Sequence, residues 1–226
     1  MNDDVYVVIA AYNEESKIAG VVNSVKKQKF SNIIIVDDGS IDRTSSMAIK
    51  AGAIVLTHKK NKGQGAALRT GIRDAVKRGA HIIVTFDADG QHKPGEIKRI
   101  IQPIREGLVD VALGSRFLGR KQKMRFIIRF LLWLGIIEHL LLYGVMLTDV
   151  HNGFRALSRK AAKKIKITCD RMEHASEIIE EIGKKKLSYM EVPVTIKYTK
   201  YSAEKGQSPG DRVKVGIRLL KRRILG

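Results

Sequence analysis

The residues best able to do chemistry lie in FDADGQH, residues 86–92, where Asp87 and Asp89 flank one small residue and Gln91 follows at the same spacing. Two carboxylates this close repel unless one is protonated or a cation lies between them. A hard divalent ion with oxygen ligands, Mg²⁺ or Mn²⁺, removes that repulsion, and such ions bind through one or two carboxylates plus water or phosphate oxygens. Gln91 adds a further oxygen or orients a metal-bound water. A lone Asp-x-Asp is more often a polar turn or a helix cap. Here it is accompanied by Tyr12, Asn13 and Glu14 in AYNEE (11–15) and by Asp37 and Asp38 in VDDGS (36–40).

For these stretches to act together, one scaffold must bring them to one place. Apolar, β-branched runs at 5–10, 33–36, 53–57, 82–86 and 109–114 are separated by helix-length polar segments. This pattern predicts an α/β fold, a parallel sheet covered by helices on both faces. Asn13 is placed to cap a helix over 14–27, Gly52 and Gly79 to stop helices starting at Thr44 and Gly65, and Pro94 to open another that Pro103 bends or ends. Ligands of such sheets bind outside the carboxyl ends of the strands. The residues after the first, second and fourth strands are the three clusters above. Asp87 and Asp89 share a side if the extended backbone continues through Ala88.

The balance of 42 Lys+Arg against 23 Asp+Glu gives a net charge of +19 and points to an anionic partner: nucleic acid, lipid surface or phosphorylated substrate. Six tyrosines, six phenylalanines and one tryptophan, with no stacking motif on a strand, argue against nucleic acid. The single cysteine, Cys169, excludes an intrachain disulfide. The acidic N-terminus, MNDDVYVVIAAYNEE, predicts no export signal.

The ordered set AYNEE, VDDGSIDRT (36–44), NKGQGAALRTGI (61–72), FDADGQH, GSRF (114–117), NGFRALSR (152–159) and EVPV (191–194) resembles the family 2 glycosyltransferases of GT-A fold. Within them it is most similar to the dolichol-phosphate mannosyltransferase branch, which moves a sugar from a nucleotide to a polyprenyl phosphate. The resemblance implies that Tyr12, Glu14 and Asp38, with Asp37 and Ala10, hold the base and ribose of a nucleotide sugar, GDP-mannose ahead of UDP-glucose. Ala10 replaces the family's usual proline. It implies that Asp87, Asp89 and Gln91 hold the metal on the donor diphosphate. Arg116 and Arg125 fall on basic positions of the acceptor-phosphate region, and Arg155 joins them. A phosphate acceptor is already anionic and needs no base, only cationic groups that aim it at the anomeric carbon.

Gly63 and Gly65 are not a dinucleotide fingerprint; they permit close packing or approach a phosphate. The neighbouring His58, Lys59, Lys60 and Lys62 read as a solvated basic loop. Of Glu173, His174 and Glu177, only Glu177 is expected in a site wall. The apolar stretch 126–147 is interrupted by Arg129, Glu138 and His139, and a single crossing would separate Asp89 from Arg155. Interfacial helices within 121–147 are therefore expected, with an ordinary helical hairpin as the alternative. A catalytic domain over 1–200 is followed by a basic amphipathic tail over 201–226 in which Leu219, Leu220 and Ile224 recur at helical spacing. Many relatives continue into transmembrane helices; this chain is expected to be peripheral, at the cytoplasmic face of the membrane.

Overall fold

The computed structural model of the chain describes residues 4–118, 144–150 and 152–197. Arg125, most of the segment 121–147 and the tail 201–226 fall outside the described residues.

The described residues form seven strands: Val5–Ala11 (β1), Asn32–Asp37 (β2), Ile54–Thr57 (β3), Ile82–Asp87 (β4), Val111–Ser115 (β5), Arg155–Ser158 (β6) and Tyr189–Pro193 (β7). They form one sheet in the order β3-β2-β1-β4-β6-β5-β7. Every neighbouring pair is parallel except those made by β6, which runs antiparallel to both β4 and β5. The first five strands match the apolar runs. The short β6 and β7 escaped that pattern because each carries a charged residue, Arg155 or Glu191, where an apolar run was sought.

Alternation along the strands builds two cores. Val5, Val7, Ile9, Ile33 and Ile35 face helices Ile18–Lys27 (α1), Thr44–Lys50 (α2) and Ile97–Arg105 (α4), whereas Val8, Ile34, Val36 and Ile83 face Gln64–Lys77 (α3), Arg159–Lys164 (α5) and His174–Lys184 (α6). Burial on both faces is why the strands read as continuous apolar runs.

Three local expectations are corrected. Helix α1 begins at Ile18, not Glu14, because the intervening loop bonds to the loop after β2: Asn13 N donates to Ser40 Oγ at 2.9 Å and Glu14 N to Thr44 Oγ1 at 2.7 Å. Asn13 takes a positive φ of 53° and its Oδ1 accepts from Ile41 N, so it staples two loops rather than capping a helix. Helix α4 runs through Pro103 and ends at Arg105, the buried proline replacing one backbone donor near its end. Finally, residues 144–147 are not helical; Val145 and Leu147 enter the core and Met146 is exposed. Among the described residues no helix is long and apolar enough to cross a membrane.

Candidate active site

The carboxyl ends of β1, β2 and β4 lie side by side. Ala11 is in register with Asp37 and Ala10 with Asp87, so the central strand ends in two small residues between two carboxylate-bearing neighbours. Asp87 closes β4 with its side chain 30 % exposed. Its Oδ2 accepts from His92 Nε2 at 2.7 Å and its Oδ1 from Gln64 Nε2 at 3.3 Å. Gly153 presses on the same group; a Cβ there would stand 2.9 Å from Asp87 Oδ1.

The backbone does not stay extended after Asp87. A turn begins at Ala88, whose methyl is buried in the α1 core, and Gly90 completes it at a φ of 75°. Asp89 nevertheless feels its neighbour: burial and the charge of Asp87 raise its carboxyl above the ordinary value, against the bonds donated by Gln91. Asp87 moves the other way. Burial alone would raise it, but the charge and hydrogen bond of His92, with His174 and Arg155 behind, hold it below the usual range.

This pair suits a divalent cation. Among the described residues no group of three or more His, Cys, Asp or Glu is arranged for a metal; Mg²⁺ and Mn²⁺ can be held by one or two carboxylates together with a ligand's phosphates. Burial first, and the charge of Asp87 second, disfavour the Asp89 carboxylate, and a cation between the two carboxylates would offset both. Gln91 Nε2 donates to Asp89 Oδ2 at 2.6 Å and Gln91 N to Oδ1 at 2.9 Å, so the contact it makes orients that carboxylate. Beside Asp89 a cleft of about 400 Å³ opens between α1 and residues 89–94, with Lys17, Gly20, His92 and Lys93 in its walls.

The remaining donor-side residues divide by exposure. Tyr12 is 43 % exposed at the rim, whereas Glu14, Asp37 and Asp38 are buried. Asp37 accepts from Ser40 N and Ser45 Oγ. Asp38 accepts from Gly63 N at 2.6 Å, Lys62 N at 3.0 Å and His58 Nδ1 at 2.6 Å. His58 reaches on to Thr70 Oγ1 at 3.0 Å and its side chain is 9 % exposed. It is a buried tie between loop and helix, not part of a solvated basic loop.

Gly63 and Gly65 serve packing: added Cβ atoms would meet Asp170 O at 2.4 Å and Cys169 O at 2.1 Å. The start of α3 thus sits directly on the 169–171 loop, where Ala66 N donates to Asp170 O. Glu177 is buried and accepts from Thr168 N and Cys169 N at 2.9 Å, fixing that same loop. Buried His174 bonds the Arg171 carbonyl through Nδ1.

On the opposite flank, Arg116 binds Asp149 through Nε and Nη2, both at 2.7 Å. Glu191 holds Asp149 N at 3.1 Å and Thr148 N at 2.9 Å. Arg155 is 3 % exposed and donates to the carbonyls of Asn152, Val150 and Ala175. Burial lowers its guanidinium to about 10 despite Asp149 and Asp87, so it remains a cation that braces the 150–154 loop. Asn152 Nδ2 donates to Asp149 and its Oδ1 accepts from Phe154 N. Sequence reasoning missed His92, Asp149 and Glu191. His92 and Glu191 lie inside quoted motifs; nothing in the local sequence marks Asp149, whose partner is distant.

Comparison with known proteins bears on the family and the fold. The family model described as Glycosyl transferase family 2 matches residues 6–166. A UDP-N-acetylglucosamine–dolichyl-phosphate N-acetylglucosaminyltransferase of Methanococcus voltae is 37 % identical over 96 % of this chain and 94 % of its own. A polyprenol monophosphomannose synthase of Mycolicibacterium smegmatis is 30 % identical over 72 % of this chain and 64 % of its own. Glucosyl-3-phosphoglycerate synthase of Mycobacterium tuberculosis, solved with Mn²⁺ and UDP-glucose, superposes with a TM-score of 0.70 at 20 % identity, covering 96 % of this chain and 76 % of that one. That likeness shows the fold, GT-A.

Proposed function

The chain belongs to glycosyl transferase family 2, and we propose that this glycosyltransferase moves a sugar from a nucleotide sugar to a polyprenyl or dolichyl phosphate at a membrane surface. The observation that carries the donor half is the meeting of Asp87 and Asp89 with Tyr12 and Asp37 at one sheet edge. The acceptor half is supported by relatives named for dolichyl-phosphate and polyprenol products. For the donor, a relative matched along 94 % of its own length is named for UDP-N-acetylglucosamine. That sugar nucleotide therefore takes precedence over GDP-mannose, which the shorter match to a mannose synthase supports.

In this reading Asp87 and Asp89 hold Mg²⁺ or Mn²⁺, and the ion when bound supplies neutralisation of charge on the departing diphosphate. Tyr12 lies open at the rim to meet the base, and Asp37 and Asp38 shape the loops around the ribose. An acceptor phosphate oxygen forms the new bond to the anomeric carbon as the bond to the diphosphate breaks, the electron pair leaving with the diphosphate and the anomeric configuration inverting. No proton need be removed. Arg116, already aimed by Asp149, lends its charge to the incoming phosphate, with Arg125 as a second cation. Arg155 acts at one remove, through the loop it braces.

We assign catalysis to residues 1–200, membrane contact to 121–147, and a basic docking role to 201–226, with the enzyme peripheral at the cytoplasmic face. The first test is calorimetric titration of UDP-N-acetylglucosamine, UDP-glucose and GDP-mannose with and without Mn²⁺, on the wild type and Asp89→Ala. Metal-dependent binding of one donor, lost in the variant, is expected; binding that ignores both metal and variant would refute the site. A detergent-phase transfer assay then asks whether polyprenyl phosphate is required.

A further inference from the structure

We infer that His92 is a positioning residue that aims the Asp87 carboxylate into the donor site, an inference that rests on the donor-site reading above. The imidazole is 2 % exposed and gives Nε2 to Asp87 Oδ2 at 2.7 Å. Its other nitrogen, Nδ1, is buried and has no hydrogen-bond partner among the described residues. The ring completes a three-ring cluster, its centroid 5.3 Å from Phe86 and 5.1 Å from Phe154, which are themselves 5.3 Å apart.

That environment favours an apolar side chain. Burying an imidazole with one nitrogen unpaired is costly, and a leucine or methionine would fill the space without that penalty. What the imidazole offers in exchange is one donor held in place from several sides. Phe86 precedes Asp87 on β4, and Phe154 belongs to the loop whose Gly153 presses on Asp87 Oδ1. The backbone is tied as well: His92 pairs with Ile196, and Lys197 N donates to Gln91 O at 2.9 Å. A rotamer locked by packing is what a precise carboxylate orientation requires. Gln64, at 3.3 Å from Oδ1, is the weaker of the two side-chain donors.

The test compares His92→Leu, which fills the space without a donor, with His92→Gln, which keeps an N–H within reach. The probes are Mn²⁺ with UDP and, separately, with GDP, read by electron paramagnetic resonance for bound Mn²⁺, by calorimetry for nucleotide, and by thermal unfolding. We expect His92→Leu to unfold at or above the wild-type temperature while losing about tenfold or more in Mn²⁺-nucleotide affinity, and His92→Gln to recover most of it. Unchanged affinity in the leucine variant, or equal losses in both variants that follow a drop in unfolding temperature, overturns the inference. If the leucine variant does not fold, His92→Gln is set against His92→Asn, whose shorter amide does not reach; equal affinity in these two is then the overturning result. A wild type that binds neither nucleotide with Mn²⁺ overturns the donor-site reading and this inference together, whereas wild-type binding with indifferent variants overturns this inference alone.

Discussion

Arg116 and Asp149 face each other fork to fork, Nε on one carboxylate oxygen and Nη2 on the other, both at 2.7 Å. The Asp149 side chain is 1 % exposed while that of Arg116 is 27 % exposed, so the acid is the buried anchor of the pair and the guanidinium its half-buried partner. Asp149→Ala should lower stability by about 1.5–3 kcal/mol, the range for hydrogen bonds to charged groups, and should raise the Michaelis constant for the lipid phosphate. Arg116→Lys removes the fork from the same buried carboxylate and should lower stability by a comparable amount, while weakening the acceptor and not the donor, as kinetics with each substrate varied would show.

The Asp149 pair also sets an acid limit. Burial would raise this carboxyl, but the hydrogen bonds and charge of Arg116 lower it below its ordinary 3.8. Its contribution is therefore complete above that value and fades as pH falls through the lower folded value. The stability gap between wild type and Asp149→Asn should narrow below about pH 4 in acid titrations followed by circular dichroism.

His174 predicts a slope at milder pH. Burial, helped by the charge of Arg155, lowers its pKa from 6.5 to about 4, against the pull of the Arg171 carbonyl. The unfolded chain takes up a proton below 6.5 that the folded chain refuses, so stability is full above that pH and is lost as pH falls toward 4. A slope of up to about 1.4 kcal/mol per pH unit is expected in denaturant titrations, and His174→Gln should flatten it.

Tyr12 and Asp38 should part company under mutation. Tyr12→Ala removes an exposed ring and should weaken donor binding with little change in unfolding temperature. Asp38→Asn disturbs the clamp on Lys62 N, Gly63 N and His58, and should cost about 1.5–3 kcal/mol as well as donor affinity. Loss of affinity without loss of stability at Asp38 would show that its carboxylate meets the nucleotide directly.

Gly153→Ala is the sharpest steric probe. Its Cβ would stand 2.9 Å from Asp87 Oδ1, displacing the carboxylate or the loop at an overpacking cost of about 1–3 kcal/mol. Mn²⁺-dependent nucleotide binding should fall much further than stability, as paired calorimetry and thermal unfolding would register.

The strands that end in the site were legible because burial on both faces leaves an uninterrupted apolar run, and Asp37 and Asp87 stand out where it stops. The partners that hold them were not. His92 lies five residues from Asp87, yet its role depends on a turn closed by Gly90; Asp149 meets Arg116 across 33 positions. Local periodicity records which way a residue faces, not what waits there. Asn13 shows the same limit: as a cap candidate it was plausible, but bonds to Ser40 and Ile41 outcompeted the helix.

The reversed direction of β6 leads further. Strand β5 departs at the site's rim, and β6, its antiparallel neighbour with Leu113 beside Arg155, returns from that same rim. The described residues between them are built into the molecule: Val145 and Leu147 enter the core, Asp149 is held by Arg116 and Glu191, and Phe154 packs on Phe86 and His92. The reversal thus delivers Gly153 and Phe154 back to the end of β4, so the chain returning from that rim and the Asp87 carboxylate move as one mechanical unit.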